Sequence, residues 1–172
     1  MDQHFYRLKK KYDQKDLTLI GQEVPDQIDP RETDDNLAKK GVTLKDIINS
    51  SSDLVFYTDN NNLTDYPVSQ FGYQVVSEKF KHIIEKYITN EVEFFEVQFE
   101  GEKKIEEKYF LMNFINVKSA MDYDKSECLR LSTGKVVEIE KMVIDYTKLK
   151  DQIAFRLEEI KFELIINKEL KQ

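Results

Sequence analysis

The most regular pattern of apolar and polar positions begins at Ser77. The apolar residues that follow recur at helical spacing: Phe80, Ile83, Ile84, Tyr87 and Ile88. Such spacing places side chains on one stripe of an α-helix, and serine is favoured at the position that caps a helix N-terminus. The pattern therefore predicts an amphipathic helix after Ser77 with a buried apolar stripe. His82 lies off this stripe and is predicted to be exposed.

Strand patterns dominate the rest of the chain. Polar and apolar residues alternate between Glu93 and Glu100, which is typical of a strand with one solvated face. Residues 109–117 are almost all apolar and rich in aromatic and β-branched types, so they predict a central strand that is covered on both faces. Shorter runs of the same kind predict further strands over residues 5–12, 54–57, 135–146, 153–157 and 162–166.

Two further helix signals complete the pattern. Residues 44–48 place apolar side chains at helical spacing after Thr43, and Asn167 follows a strand much as Ser77 does. The elements add up to about seven strands and two or three helices. We therefore expect an α+β fold, a mostly antiparallel sheet with two or three helices packed on it. The chain length fits a single domain over residues 1–172.

Charge narrows the classes of partner. The chain has 33 acidic and 26 basic residues, a formal net charge of −7. Binding to nucleic acid depends on neutralising phosphates with Lys and Arg, so an acidic chain argues against nucleic acid and against an anionic membrane surface. The charge is compatible with a basic protein partner. The chain contains neither a long apolar run nor the apolar core of a signal peptide, which predicts a cytoplasmic protein.

The residue types that carry chemistry are sparse. Cys128 is the single cysteine, and the two histidines, His4 and His82, lie far apart in sequence. The acidic stretch from Asp59 to Asp65 lacks the central glycine and closing glutamate of a calcium loop. Residues 132–135 lack the glycine spacing of a phosphate loop, and a hairpin turn explains their glycine. The sequence therefore predicts no catalytic residue, no cofactor and no metal.

Adjacent carboxylates leave one enzymatic alternative open. Asp122 and Asp124 flank a tyrosine, and residues 106–107 and 158–159 are Glu–Glu pairs. A carboxylate-dependent hydrolase needs two such groups at a fixed separation in a cleft. In a chain with 33 acidic residues, such pairs more often belong to a solvated surface. A non-catalytic interaction or regulatory domain is the other alternative.

Several segments between Leu63 and Lys171 resemble a known family in order along the chain. They are Leu63–Tyr66, Val75–Phe80, Val92–Val97, Tyr109–Val117, Ala120–Asp122, Ile153–Leu157 and Ile165–Asn167. Together they are similar to the Imm-eleven type of bacterial polymorphic-toxin immunity proteins, formerly a domain of unknown function. The resemblance covers residues 63–171, while residues 1–60 match less closely.

The resemblance implies a cytoplasmic, non-catalytic protein that binds a cognate toxin domain and neutralises it by occlusion. Joined to the net charge of −7, it leads us to expect a toxin with a basic surface. The resemblance itself supplies no contact residues. Asp122, Asp124 and Glu127 follow the predicted central strand in a polar loop, and loops on a rigid sheet often carry binding. We therefore take these three acidic residues as the candidate partner-binding site.

Overall fold

A computed structural model describes residues 5–8, 21–29, 37–58, 63–69, 73–101, 104–134 and 136–171. The chain divides into two compact units. One unit, here called the ribbon unit, joins Met1–Leu8 to Asn116–Gln172. The other, here called the helix unit, comprises Lys9–Ile115.

The described residues contain twelve short strands and two α-helices. The strands are β1 Phe5–Leu8, β2 Gly21–Glu23, β3 Val55–Tyr57, β4 Val75–Ser77, β5 Val92–Glu96, β6 Gln98–Glu100, β7 Tyr109–Phe114, β8 Val117–Lys118, β9 Glu127–Arg130, β10 Val136–Lys141, β11 Ala154–Leu157 and β12 Ile160–Asn167. The α-helices are α1 Leu37–Lys40 and α2 Glu78–Glu85, and short 3₁₀ helices cover Asp26–Ile28, Ser51–Asp53 and Tyr146–Leu149.

Two three-stranded sheets build the helix unit. Their strand orders are β2-β3-β6 and β4-β7-β5, and every pair is antiparallel except the parallel pair β3–β6. The core beneath them is a cluster of buried apolar side chains: Ile28, Leu44, Ile48, Leu54, Phe56, Tyr73, Val75, Val97, Tyr109 and Leu111. Many short segments each contribute one or two of these side chains, so the unit encloses its core with little helix.

The ribbon unit has a four-stranded sheet in the order β1-β12-β11-β8 and a separate two-stranded sheet, β9–β10. The pairing is antiparallel except between β8 and β11. The predicted first strand is confirmed for residues 5–8, which form an edge of the four-stranded sheet, while residues 9–12 lie outside the described residues. A second apolar cluster packs below this sheet: Ala120, Leu149, Phe155, Leu157 and Ile165.

The expected α+β fold with two or three helices packed on one sheet is wrong, because the protein is mostly β. In the described part of the chain, α2 is the one helix longer than a single turn. The predicted helix at residues 44–48 is one hydrogen-bonded turn, and residues 168–171 after Asn167 also form turns. The entropy lost in nucleating a helix is larger than the stabilisation gained from the hydrogen bonds of one or two turns. A short apolar run that has no long surface to pack against therefore stays a turn.

The strand predictions hold better. Of the predicted strand over residues 109–117, residues 109–114 form β7, which is buried along its whole length at the centre of its sheet, whereas Val117 belongs to β8 of another sheet. The alternating stretch from Glu93 to Glu100 is split at the buried Val97 into β5 and β6, which belong to different sheets. Alternation therefore identified the extended backbone but missed the crossing between sheets.

The predicted helix is confirmed, but its predicted stripe is only partly buried. Ser77 accepts a hydrogen bond from the Phe80 amide at 3.1 Å, as a cap should. Ile84 and Ile88 are buried, whereas Ile83 and Tyr87 are each 42% exposed. The inward face of the helix is therefore narrower than the run of apolar residues suggests.

A lysine occupies part of the inward face of α2. The Lys81 ammonium lies 4.9 Å from the ring centre of Phe110 and 5.6 Å from that of Phe94. Its apolar stem and cation cover the two rings, which is a favourable arrangement for a lysine at the margin of a core. His82 is exposed, as predicted, and contacts Glu85. In the described parts of the chain, neither helix is long and apolar enough to cross a membrane.

Candidate partner-binding surface

The two-stranded sheet β9–β10 and the turn that precedes it form the candidate surface, here called the ribbon (residues 121–144). At its base, Met121 pairs with Ile144, and the Asp122 amide donates to the Val143 carbonyl at 2.8 Å. At its other end, Gly134 makes the connecting turn with a φ of 84°, which glycine adopts without strain. The predicted hairpin turn at residues 132–135 is thereby confirmed for residues 132–134, while residue 135 lies outside the described residues.

The register of the ribbon separates two faces. The opposed pairs are Val136 with Arg130, Glu138 with Leu129, Ile139 with Cys128, and Lys141 with Glu127. Since side chains alternate between faces, the Cys128–Ile139 and Leu129–Glu138 pairs lie on opposite sides. Cys128 and Ile139 are partly buried, and the face with Leu129, Glu138, Glu127 and Lys141 is exposed.

Three aliphatic side chains of the ribbon are left in water. Leu129 is 60% exposed, Val137 is 57% exposed and Leu131 is 51% exposed, more than any other large aliphatic residue that the structure describes. We call these three residues the apolar patch. Single exposed apolar residues are common on surfaces, but a group on neighbouring positions of one short ribbon is typical of an interaction site.

The three acidic residues predicted as the site belong to the same ribbon, but Glu127 lies in strand β9 and not in the predicted loop. Asp122 begins the turn, where its Oδ2 lies 2.7 Å from the Lys125 ammonium. This hydrogen bond lowers the pKa of Asp122 below its usual value and raises the pKa of Lys125. Asp124 is exposed in the same turn, and Glu127 opens β9 with its carboxylate 3.4 Å from the Lys141 ammonium.

Two of the three predicted carboxylates are therefore balanced by neighbouring lysines, Lys125 and Lys141. The structure brings the predicted residues together, but the ion pairs reduce the charge that they present. Sequence reasoning concentrated on acidic residues and missed the apolar patch. The signal was present in Leu129-Arg130-Leu131, where two leucines two positions apart share one face of an extended chain.

A polar network holds the ribbon's turn onto the four-stranded sheet of the same unit. The Tyr123 hydroxyl donates to Glu159 Oε1 at 2.9 Å, and the Ser119 hydroxyl donates to the same oxygen at 3.3 Å. The guanidinium of Arg130 lies 4.7 Å from the centre of the Tyr123 ring. Burial and the hydrogen bond to Glu159 raise the pKa of Tyr123 to about 12, so it stays a neutral donor. The network orients the face of the ribbon that carries Cys128 and Ile139. The opposite face, with Leu129 and Glu138, stays exposed.

One arrangement in the helix unit resembles a nucleophile set but has another role. The Ser77 hydroxyl donates to Asp65 Oδ1 at 2.6 Å, and Lys79 contacts the other oxygen of Asp65 at 2.9 Å. Ser77 is completely buried, and its oxygen also accepts from the Phe80 amide. A hydroxyl with no solvent access that already caps a helix is a structural group.

In the described residues, no group of three His, Cys, Asp or Glu side chains is placed to hold a metal ion. His4 and the 59–62 stretch lie outside the described residues. Of the predicted Glu–Glu pairs, Glu159 accepts from Tyr123 and Ser119, and Glu107 lies 3.4 Å from the Tyr109 hydroxyl.

These features define a β-rich protein whose candidate site is an apolar ribbon with paired charges at its margin. The model of the immunity protein family (Imm11) matches residues 4–172, and the chain belongs to this family. The match includes residues before position 60, where the sequence resemblance was weaker. Membership supports an immunity role for the chain. No match was found among curated proteins.

Proposed function

We propose that this protein neutralises the toxin domain encoded beside it, by binding that domain in the cytoplasm and occluding its active site. The proposal assigns no chemistry of its own to the protein. Membership of an immunity protein family supports the role, and the exposed apolar patch on the ribbon is the observation that supports this site.

The apolar patch would provide most of the lifetime of the complex. Burying an exposed aliphatic side chain contributes roughly 1.5–3 kcal/mol, and a few such residues near the centre of an interface carry most of its binding energy. Leu129, Leu131 and Val137 are more than half exposed, so a partner can still bury much of their surface. The ion-paired acids at the margin would form the polar rim.

Charge would act mainly on the rate of association. Residues 122–141 contain five acidic and four basic residues, so the ribbon itself is nearly neutral, whereas the whole chain carries −7. A net charge of this kind attracts a toxin with a basic surface over distances of about the Debye length, roughly 8–10 Å at physiological salt. Association should therefore slow as salt rises, with little change in dissociation.

The test is protection of cells that express the toxin domain encoded by the neighbouring gene. Wild-type protein should protect, and the double variant Leu129→Ser with Val137→Ser should fail while remaining folded. Ile83→Ser removes an exposed apolar side chain from α2 and is the matched control, which should still protect. In a binding assay the double variant should dissociate at least about 100-fold faster, equivalent to roughly 2.8 kcal/mol.

Charge reversal at Asp122 and Asp124 tests the rim separately. It should slow association more than it speeds dissociation, because both residues lie in the turn at the base of the ribbon and not in the apolar patch. Continued killing of cells that hold folded wild-type protein would rule out immunity to that toxin.

The absence of catalysis is tested on purified protein with nuclease, nucleotide and glycoside substrates, with and without divalent metal. We expect no turnover in any of these assays. A reproducible activity that disappears on changing Asp122 or Asp124 would replace the binding proposal with the hydrolase alternative.

A further inference from the structure

The two outer edges of the ribbon offer different surfaces to a partner. Within the described residues, β9 and β10 pair only with each other, so each strand has one edge that is not part of a sheet. An edge of this kind presents a row of backbone N–H and C=O groups. The chemical complement of that row is another extended backbone, as in recognition by strand addition.

Irregularity of the strand distinguishes β10 from β9. The pairing passes from Val136 to Glu138 and from Ile139 to Lys141, so Val137 and Glu140 are extra residues on β10. Such bulges bend a strand and interrupt its hydrogen-bond pattern, and they protect natural edges from pairing. On β9 the four opposed residues, Glu127 to Arg130, are consecutive. The regular edge is therefore that of β9.

The side chains of β9 add chemical selectivity to its backbone edge. Leu129 lies in the strand, highly exposed, on the same face as Glu127 two residues earlier. A neighbouring strand would place its own side chains about 4.5–5.5 Å from these two. The matching segment carries an apolar residue beside Leu129 and a basic residue beside Glu127, in agreement with the net charge of −7.

We infer that the cognate toxin contributes an extended segment that pairs with the outer edge of β9 and turns the ribbon into a three-stranded sheet. The inference rests on the proposed function and specifies how the partner binds. An isolated two-stranded ribbon is marginally stable, and a third strand with an apolar face stabilises it. Binding should therefore tighten the whole ribbon.

Amide hydrogen exchange on the full chain tests the inference, in the free state and in complex with the neighbouring-gene toxin domain made catalytically inactive. In an antiparallel ribbon, alternate amides of β9 point outward. Those amides should exchange fastest in the free protein and become at least about tenfold more protected in the complex. The outward-pointing amides of β10 should become less protected from exchange by the complex than those of β9.

A proline variant provides the second measurement. Proline lacks the N–H group, so placing it at a fast-exchanging position of β9 other than Leu129, as Cys128→Pro or Glu127→Pro, should weaken toxin binding at least tenfold. Glu140→Pro on β10 is the matched control and should change binding less than about threefold.

The outcomes separate this inference from the proposed function. Tight binding without new protection on β9 would show that side chains alone dock the toxin, and would overturn strand addition while leaving immunity in place. No complex between the wild-type chain and the toxin domain would overturn both.

Discussion

The central strand β7 and the ribbon strand β9 have the same backbone conformation in opposite environments. Every residue of β7 is buried between β4 and β5, while β9 has a single neighbouring strand among the described residues and an exposed leucine at its centre. The comparison shows that strand conformation alone does not tell which parts of the chain stabilise the fold. A strand with two neighbours and two covered faces stabilises the fold, whereas a strand with one neighbour can still offer its surface to a partner.

The polar groups of the two regions differ in the same way. Glu93, on β5 beside β7, is buried, and it accepts hydrogen bonds from the Leu44 amide at 2.9 Å and from Asn113 Nδ2 at 3.0 Å. It thereby holds the 43–48 turn against the sheet. Glu127 on β9 is exposed and meets only a flexible lysine among the described contacts. The residues that stabilise the fold and the residues that are available for binding thus lie in different segments of the chain.

The largest expected difference is in the free energy of unfolding when a leucine is truncated in each of the two strands. Leu111→Ala in β7 should lower the free energy of unfolding by about 2–5 kcal/mol, because it leaves a cavity in a buried cluster. Leu129→Ala in β9 should change it by less than about 0.5 kcal/mol, since the side chain is exposed. Urea unfolding of both variants measures the difference. Equal losses would show that the ribbon is part of the core.

The helix allows the same comparison between adjacent residues. Ile84→Ala should destabilise the protein by about 2–4 kcal/mol because Ile84 is buried. Ile83→Ala should change stability by less than about 1 kcal/mol, since 42% of this residue is exposed. Thermal or urea unfolding measures both. A large loss of stability on Ile83→Ala would show that the whole apolar stripe predicted from the sequence is buried.

A change from Glu to Gln compares the polar groups without altering their size. Glu93→Gln should lower stability by about 1–3 kcal/mol, because the carboxylate accepts from donors that an amide nitrogen cannot satisfy. Glu127→Gln removes an exposed ion pair, which contributes about 0–1 kcal/mol. The unfolding midpoints of the two variants should therefore differ clearly. If Glu93→Gln were neutral, Glu93 would not be what holds the 43–48 turn.

The smallest expected effect is on the acid side of the pH–stability curve. Hydrogen bonds from Ser77 and Lys79 lower the pKa of Asp65, and Lys125 lowers that of Asp122. A depressed folded pKa gives stability that is present above the unfolded value of about 3.9 and is lost as pH falls through the folded value. Both groups are partly exposed, so solvent screens the effect.

The corresponding measurement combines carboxyl NMR titration with unfolding between about pH 5 and pH 2. Both carboxyl midpoints should lie below the ordinary value for an aspartate. Asp65→Asn and Asp122→Asn should each make stability less dependent on pH in this range. A midpoint at or above the ordinary value would contradict the ion pair at that residue.

Much of the local structure was predictable. The Ser77 cap, the exposed His82, the extended backbone of β7 and the turn at Gly134 all depend on residues close together in sequence, whose spacing and backbone preferences act locally. The number of helices was not predictable from such signals. Residues 44–48 have helical spacing, but the structure gives them one turn, which is held by Glu93 from a distant strand.

By itself, the sequence determined the extended backbone of most strands, the helix after Ser77, how much charge the chain carries and which family it resembles, but it did not identify β9, whose first residue was expected in a loop. Only the tertiary structure decided which strands are neighbours, that the stretch from Glu93 to Glu100 serves two sheets, and that Leu129, Leu131 and Val137 stay in water. The physical reason is that strand pairing and burial depend on partners far away along the chain. A leucine on a strand has the same local preferences in β7 and in β9, and the number of neighbouring strands decides whether it stabilises the fold or remains available to a partner.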